Sequence, residues 1–523
     1  MRFVRPKPPS PNCYTRPLVN VRRIAFNAGM EHVFASLTTV QVMCLVLALA
    51  LALAFEFVNG FHDTANAVAT VIYTNSLPPW VAVIWSGLWN LIGVLTSTGA
   101  VAFGVISLLP VELVMHVGSA AGFAMVFSLL ISAIIWNLGT WWLGLPASSS
   151  HSLIGSIMGV GLMNSIMNSG GVMAGINWAK AQDVGLALLI SPLVGFVCTA
   201  ILFLLLKALV RKPELYSAPE PNRAPPMWIR GILCLTCTGV SFAHGSNDGQ
   251  KGMGLLMLIL VGIIPGMYAL DLNTNADSMG ALIAMSQNAA GMLEKHPAGT
   301  PLDDEASGKV LSGFLKSGGA YSDAVFPALA HENAQITTAL TGHQSLTEVP
   351  VEQRSTLRMA IYFTSETIGK LNKTHKLSDE EAGSLSKYKT ALDKTTKYIP
   401  VWVKVAVALA LGLGTMVGWK RIVVTVGEKI GKSHLTYGQG ASAELVAMIT
   451  IGLADRYGLP VSTTHVLSSG VAGAMAANKS GLQAATLRNL LLAWVLTLPV
   501  CVFLGALLFA AGLLLVSRFF AVG

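Results

Sequence analysis

Two aspartates of this chain lie in stretches that carry almost no other charge, and similar short motifs surround both. The first motif spans residues 60–66 and reads Gly-Phe-His-Asp-Thr-Ala-Asn, and the second spans residues 245–251 and reads Gly-Ser-Asn-Asp-Gly-Gln-Lys. Each follows an apolar run, where an ionisable side chain is costly and indicates a functional site. The alternative is a structural carboxylate that a helix end or neighbouring amides satisfy. We expect Asp63 and Asp248 to handle cations.

A second motif also occurs twice, and it is rich in hydroxyl groups. Residues 144–151 read Gly-Leu-Pro-Ala-Ser-Ser-Ser-His, and residues 458–465 read Gly-Leu-Pro-Val-Ser-Thr-Thr-His. An apolar, helix-like run follows each copy, so each motif predicts a helix start whose free N–H groups and dipole suit an anion. The alternative is that the hydroxyls only cap and pack a buried helix. The predicted ligands of a tetrahedral oxyanion are Ser148, Ser149, Ser150, Ser462, Thr463 and Thr464.

The two kinds of motif constrain each other electrostatically. Two aspartates and a divalent oxyanion would bring about four negative charges together, and such repulsion is prohibitive at low dielectric. A cation must therefore enter with the anion, whether Na⁺, H⁺ or a metal ion. This requirement gives coupled transport a physical basis.

The motifs recur in the same order, which indicates an internal duplication. Trp80, followed by an apolar stretch, has a counterpart in Trp402, and the halves run over about residues 38–207 and 228–516. Duplicated halves with a site at their interface are typical of secondary transporters. An anion channel would also suit broken helices and hydroxyls, but aspartates beside the path disfavour anion flow. An intramembrane serine hydrolase lacks a matched third residue, so we expect no enzyme.

Composition limits the class of protein. The chain is 53% hydrophobic and 11% charged. A soluble globular chain has about 25% charged residues, so the charged share here is less than half the usual value. The values exclude a disordered chain, a nucleic-acid binder and an ordinary soluble enzyme. We attribute the formal charge of +8 to membrane topology. The six cysteines are too few and too scattered for a disulfide framework.

Charge also divides the chain into regions. Residues 273–400 hold 26 of the 60 charged residues, which predicts a soluble, mostly helical insert. Within it, Ser378 and Glu381 have the spacing of a capping box at a helix start. The predicted regions are a basic arm at 1–37 with Met30 as an alternative start, a first transmembrane repeat at 38–207, a linker at 208–227, a second repeat at 228–272 and 401–516 around the insert at 273–400, and a tail at 517–523.

About twelve apolar pieces occur outside the insert, and several are too short to cross a bilayer or are broken by Gly, Pro and polar residues. Broken helices are tolerated at membrane depth where they are buried in protein or line a wet cavity. The sequence therefore predicts an all-α polytopic membrane protein with two homologous repeats, broken helices or re-entrant hairpins, and the soluble insert.

The four motifs resemble those of the inorganic phosphate transporter (PiT) family of phosphate permeases. The resemblance covers about residues 30–270 and 400–516. It implies an inverted-repeat fold of about ten to twelve transmembrane segments, with phosphate near the midplane. It further implies that the hydroxyl motifs bind phosphate, with arsenate as an analogue, and that Asp63, Asn66, Asn247 and Asp248 bind coupling cations.

The sequence departs from the family's usual Asn-Asp-x-Ala-Asn pattern in both copies. His62 replaces the first Asn, and Gly-Gln-Lys replaces the last three residues of the second copy. These changes resemble the bacterial, low-affinity, proton-linked branch, whose substrate can be a neutral metal–phosphate complex. Lys251 would then act as a fixed cation, and His62 is of the side-chain type that commonly carries protons. Glu444, an acid within an apolar stretch, joins the predicted coupling residues.

These features together predict a cation-coupled phosphate symporter of the bacterial cytoplasmic (inner) membrane. We expect H⁺ as the co-transported ion, with Na⁺ as the alternative and a divalent metal complexed with phosphate as a further cargo. A permease for another tetrahedral anion, such as sulfate, is a close variant. We expect no cofactor, no tightly bound structural metal and no nucleic-acid partner. The lipid bilayer is the expected surrounding, and a homo-oligomer is left open.

Overall fold

The fold was analysed in a computed structural model that describes residues 37–108, 117–167, 176, 178–220, 223–296, 302–315 and 319–520. The predicted basic arm up to residue 36, with Met30, and residues 521–523 of the predicted tail lie outside the described residues. Within the described ranges the chain forms helices and no strand longer than an isolated bridge. The all-α prediction is confirmed.

The helices of the first half are α1 Thr39–Tyr73, α2 Pro79–Thr96, α3 Ala100–Ile106, α4 Ala120–Trp142, α5 Ser149–Met167 and α6 Trp178–Leu209. The second half begins with α7 Met227–Ile263 and the short α8 Pro265–Tyr268. It continues after the insert with α14 Val401–Thr415, α15 Lys420–Val424, a π-helical turn at Thr425–Lys429, α16 Tyr437–Arg456, α17 Thr463–Ala477 and α18 Ala484–Phe520.

Five of the described helices are long and apolar enough to cross a membrane, judged by length and composition. They comprise α1, α2, α4, residues Ala181–Leu209 of α6 and residues Ala484–Val516 of α18. A sixth candidate is a pair, Asp379–Thr396 and Val401–Thr415, which bends by 70° at the break between its helices. Other helices of the two halves, such as α7, carry many buried polar residues instead. The count of ten to twelve segments stays a prediction.

The two halves interlock through reciprocal helix pairs. Helix α5 of the first half packs along α18 of the second, and α17 of the second half packs along α6 of the first. In the same way α1 packs against α14, and α7 packs against α2. Each of these contacts therefore recurs with the halves exchanged, which brings the motifs of both halves into one interior. The inverted orientation of the repeats stays a prediction.

Two motif glycines let the halves approach this closely. A Cβ atom on Gly60 of α1 would lie 2.3 Å from the Leu411 carbonyl oxygen of α14. The equivalent atom on Gly245 of α7 would lie 2.1 Å from the Asn90 carbonyl oxygen of α2. Both obstacles are backbone atoms, so a larger residue could be accommodated only if the helices moved apart. The matched glycines thus explain why each aspartate motif begins with Gly.

We expect Gly245→Ala to lower stability, because the added methyl would push α7 away from α2. Overpacking of this kind typically costs about 1–3 kcal/mol. Thermal unfolding of the purified protein in detergent measures the effect. The matched control is Gly231→Ala in the same helix, where an added Cβ meets nothing within 4 Å. A Gly245→Ala variant that unfolds at the temperature of Gly231→Ala would contradict the close-approach explanation.

The charged segment between the two parts of the second half forms its own helical bundle. Its helices are α9 Ala276–Leu293, α10 Asp304–Leu315, α11 Val325–Leu340, α12 Arg354–Lys373 and α13 Asp379–Thr396. They share an apolar core that includes Leu329, Ile361 and Tyr388. The predicted capping box at Ser378 and Glu381 is confirmed, since the two residues exchange side-chain and backbone hydrogen bonds at the start of α13.

Two arginines of α12 join this bundle to the chain segments that lead into and out of it. The Arg354 guanidinium donates to the Gly266 carbonyl in α8 at 2.7 Å. Arg358 donates to the carbonyls of Ala269 at 2.8 Å and Thr396 at 3.0 Å. Burial lowers the pKa of Arg358 to about 10, so this side chain stays charged at neutral pH. The contacts fix the bundle against both connections to the second half.

Candidate functional site

The aspartate motifs lie inside long, continuous helices. Asp63 lies in α1 and Asp248 in α7, and both side chains are buried, with 3% and 0% of their surface exposed. The two helices also contact each other. Because one helix comes from each half, the site is assembled only when the halves interlock.

The hydroxyl motifs form the N-termini of α5 and α17, as the sequence predicts. The Ser148 hydroxyl accepts from the backbone N–H of His151 at 3.2 Å, and the Ser462 hydroxyl accepts from the backbone N–H of His465 at 3.2 Å. The first hydroxyl of each motif is thus used as a helix cap. The other hydroxyls of the two motifs are not used as caps of this kind.

Asp63 joins both hydroxyl motifs. Its Oδ2 atom accepts from the Ser149 hydroxyl of α5 at 2.5 Å, and its Oδ1 atom accepts from the Thr464 hydroxyl of α17 at 2.6 Å. His62 adds an Nδ1 atom 3.2 Å from Oδ1, while its Nε2 atom lies 3.1 Å from the Thr140 hydroxyl. The predicted cation-side carboxylate and two predicted phosphate-side hydroxyls therefore form one cluster.

Asp248 forms the second cluster with a buried lysine. The Lys251 ammonium lies 2.6 Å from Asp248 Oδ1 and donates to the Ser150 hydroxyl of α5 at 2.5 Å. Lys251 is 1% exposed, so the pair lies outside bulk water. His244 Nε2 lies 3.4 Å from Asp248 Oδ2, and its Nδ1 atom lies 2.8 Å from Asn90 Oδ1.

The two clusters adjoin. Ligand atoms of Asp63, His244 and Asp248 all lie within 4.8 Å of one another, a spacing that suits a bound cation. Lys251 already supplies one positive charge on this side of the site. With neutral imidazoles, the two aspartates and the lysine leave one net negative charge.

The N-termini of α5 and α17 meet directly. The Ser150 hydroxyl donates to the Val461 carbonyl, just before α17, at 3.0 Å. The rings of His151 and His465, which end the two motifs, lie 4.6 Å apart between centroids. His151 Nδ1, His465 Nε2 and Thr463 Oγ1 are buried and have no hydrogen-bond partner among the described residues. Buried polar atoms are nearly always satisfied, so these three favour a polar ligand at this place.

The remaining predicted residues differ in their placement. The Asn247 amide donates to the Leu459 carbonyl at 3.1 Å, so it supports the backbone of the second hydroxyl motif. Glu444 on α16 accepts from Thr236 of α7 at 2.5 Å, and its described contacts do not include the aspartates. Asn66 belongs to α1, but its side chain lies outside the described residues.

Two further residues of the site were not among the predicted ligands. His244 stands one helical turn before Asp248, and Asn90 is the polar residue of an apolar stretch. The signal available for each was a polar residue inside an apolar run. Sequence spacing alone does not connect Asn90 with His244, because 154 positions separate them.

Residues 59–505 match the model of the phosphate transporter family. The matched region includes both aspartate motifs and both hydroxyl motifs.

Two curated relatives come from Escherichia coli (strain K12). The low-affinity inorganic phosphate transporter PitA is 42% identical over 494 residues, which cover 91% of this chain and 98% of the relative. PitB, of the same description, is 42% identical over 506 residues, covering 93% and 100%. A solved structure titled "The sodium-dependent phosphate transporter" aligns with 90% of this chain and 98% of its own, at 19% identity and a TM-score of 0.49. The predictions of a membrane transporter and of no enzyme are confirmed by the family and these relatives, and this chain belongs to the phosphate transporter family.

Proposed function

We propose that this protein carries inorganic phosphate, together with protons, across the bacterial cytoplasmic (inner) membrane. The observation that carries the proposal is that the N-termini of α5 and α17, one from each half, meet at Asp63 through Ser149 and Thr464. The relatives PitA and PitB are named as low-affinity inorganic phosphate transporters. We extend that substrate to this chain.

Two helix N-termini and their hydroxyls supply donors for an oxyanion. Thr463 Oγ1 and the orphaned nitrogens of His151 and His465 add polar atoms at the same place. The carboxylates beside them favour phosphate over sulfate. Near neutral pH phosphate keeps at least one P–O–H proton, which can donate to a carboxylate, whereas sulfate keeps none and would only be repelled.

Shared hydroxyls link the anion to the cation. Ser149 and Thr464 each have a single O–H proton, so each can donate to Asp63 or to phosphate but not to both at once. When the anion takes these donors, Asp63 loses two hydrogen bonds inside a buried site. A positive charge must then offset the carboxylate, and anion binding without a cation is unfavourable.

The fixed lysine favours a proton over sodium as that cation. Lys251 holds its ammonium 2.6 Å from Asp248 and 2.5 Å from the Ser150 hydroxyl, where a mobile cation would otherwise find oxygen ligands. A sodium ion at this place would be repelled by the ammonium. A proton needs no such ligand set, because any titratable side chain of the site can take it.

A second candidate cargo is the neutral complex of phosphate with a divalent metal. The close spacing of Asp63, His244 and Asp248 supports it, because carboxylates and imidazole are common metal ligands. The Lys251 ammonium would repel a bare divalent ion even more than sodium, so the metal could enter only together with phosphate, whose charge offsets its own. Uptake measured with and without Mg²⁺, with the metal counted as well as the phosphate, separates this cargo from free phosphate.

We expect phosphate to accumulate in sodium-free proteoliposomes when the outside is more acidic. Per proton carried, a gradient of about one pH unit supports about tenfold accumulation. Arsenate should compete and sulfate should not. Controls are protein-free liposomes and a protonophore, which should collapse the accumulation. Accumulation on a sodium gradient at equal pH, with none in sodium-free buffer, would overturn proton coupling.

A further inference from the structure

A third carboxyl of the membrane interior lies near the aspartate clusters and has no part in the arrangement described so far. Glu56 lies in α1, two helical turns before Asp63, and its side chain is completely buried, at 0% exposure. Its side-chain atoms press against the backbone of Gly252 in α7, where an added Cβ would lie 2.2 Å from Glu56 Cγ. The carboxyl thus lies beside the residue that follows Lys251.

The three carboxyls differ in how well their surroundings stabilise a negative charge. Asp63 accepts two hydroxyl hydrogen bonds of 2.5 and 2.6 Å, and Asp248 has an ammonium at 2.6 Å. Among the described side chains, Glu56 accepts one long hydrogen bond, from the Asn59 amide to Oε2 at 3.4 Å, and the backbone of Gly252 is its other polar neighbour. Its Oε1 atom receives no side-chain hydrogen bond. A buried carboxylate without strong partners is costly, and the neutral acid avoids that cost.

The charged neighbours of Glu56 come mainly from α7. Asp248 and Lys251 act on it with opposite signs. Helices α2 and α4 have no titratable residue, and α14 has only Lys404, which donates to the Ser97 carbonyl at 2.8 Å. The imidazoles of His62 and His244 face the aspartates. His465 of α17 and Glu444 of α16 lie on helices that also contact α1.

We propose that Glu56 binds the proton that travels with phosphate, an inference that rests on the proton coupling proposed above. Glu56, Asp248 and Lys251 carry one net negative charge when Glu56 is ionised and none when it is protonated. Because Lys251 also contacts Ser150 of the hydroxyl motif, the proton removes a negative charge close to the place where the anion binds. Phosphate binding and protonation of Glu56 therefore favour each other.

The Asn59 amide can follow the protonation state. Its Nδ2 atom faces the Glu56 carboxylate, while its Oδ1 atom has no hydrogen-bond partner among the described residues. Rotation of the amide by half a turn would present Oδ1 to the protonated acid as an acceptor. One neighbour thus serves both states of the carboxyl.

The duplication supports a special role for Glu56. Aligning Asp63 with Asp248 places Ser241 opposite Glu56. The second half therefore has no carboxyl at this position, and its serine lies 2.8 Å from the Ser86 hydroxyl instead. Because only the first half has this carboxyl, each protein molecule would have one proton site of this kind.

The test compares Glu56→Gln with the wild-type protein and with Glu380→Gln, which removes an exposed acid of the insert, in sodium-free proteoliposomes. We expect Glu56→Gln to keep phosphate–phosphate exchange at equal pH within about twofold, since exchange needs no net proton movement. On a gradient of about one pH unit, where the wild type reaches about tenfold accumulation per proton, the variant should reach none. Phosphate-linked proton entry should disappear as well.

A chemical test uses the wild-type protein alone and does not depend on the variant folding. A hydrophobic carbodiimide reacts with protonated carboxyls in apolar surroundings, and peptide mass spectrometry locates the adduct. We expect the adduct at Glu56 at acidic pH, less of it as the pH rises, and none at Asp63 or Asp248. Absence of a Glu56 adduct at acidic pH would overturn the proposal.

The outcomes separate this inference from the proposed function. If the wild type accumulates phosphate on a pH gradient and Glu56→Gln does the same, proton coupling holds and the Glu56 assignment is wrong. Loss of exchange in an inserted, folded Glu56→Gln protein would place Glu56 in the anion site and also overturn the assignment. If the wild type itself shows no proton-driven accumulation, the proposed function has failed, and the assignment fails with it.

Discussion

The rate of gradient-driven phosphate uptake should fall by about a hundredfold or more in Asp63→Asn, while the protein remains folded and inserted. The substitution keeps the shape of the side chain and removes its charge. Truncating one partner of a buried, hydrogen-bonded charge network commonly costs about 2–5 kcal/mol, and each 1.4 kcal/mol is about tenfold. Asp63 is the acceptor shared by Ser149 and Thr464, so its charge links the halves.

The fold should survive because the amide oxygen can accept from one hydroxyl and the amide nitrogen can donate to the other. The measurements are gradient-driven uptake and the elution profile of the detergent-solubilised protein. The matched control is Asp183→Asn, which neutralises an exposed acid on α6. Uptake by Asp63→Asn equal to that of Asp183→Asn would remove Asp63 from the mechanism.

The sequence predicted the ingredients of the site because its motifs are duplicated. Two copies with the same order and the same Pro and His spacing identified the hydroxyl and aspartate segments, and the capping box at Ser378 was predicted from three-residue spacing. Such signals are local, since caps and helix starts depend on neighbours along the chain. The sequence also contains the matched Gly60 and Gly245, but it does not show that each lies against a backbone carbonyl of the other half.

The partners across the halves could not be predicted. Asp63 meets Thr464 across 401 positions, and Lys251 meets Ser150 across 101. Those contacts follow from the reciprocal packing of α5 with α18 and α6 with α17, which is a property of the assembled helices. The sequence also suggested separate cation and phosphate sides, whereas Asp63 and Lys251 each contact a hydroxyl of the predicted phosphate side. Glu56 and Glu444 are both acids within apolar runs, and the structure separates them by their neighbours on α7. Glu56 lies against Gly252, next to Lys251, whereas Glu444 accepts from Thr236.

Replacing Lys251 should expose a cation site beside Asp248. We expect Lys251→Asn, which introduces the residue found at the matching position 66, to slow proton-driven phosphate uptake by about a hundredfold. Removing one partner of a buried ion pair typically costs about 3–5 kcal/mol, because Asp248 then keeps its charge without an ammonium 2.6 Å away. The melting temperature of the variant should therefore fall below that of the wild type.

The variant should also respond to sodium, and the wild type should not. With the ammonium gone, the oxygens of Asp248 and Ser150 face a place that has lost its positive charge, and a sodium ion can supply it. An ion at about 100 times its dissociation constant stabilises a protein by about 2.7 kcal/mol, so NaCl should raise the melting temperature of Lys251→Asn above that in equal choline chloride. The matched control, Lys309→Asn, removes an exposed lysine of the insert, 74% exposed, and should behave as the wild type in both salts. If Lys251→Asn melts and accumulates phosphate like Lys309→Asn, Lys251 is not the fixed cation of the site, and the argument for protons over sodium loses its physical basis.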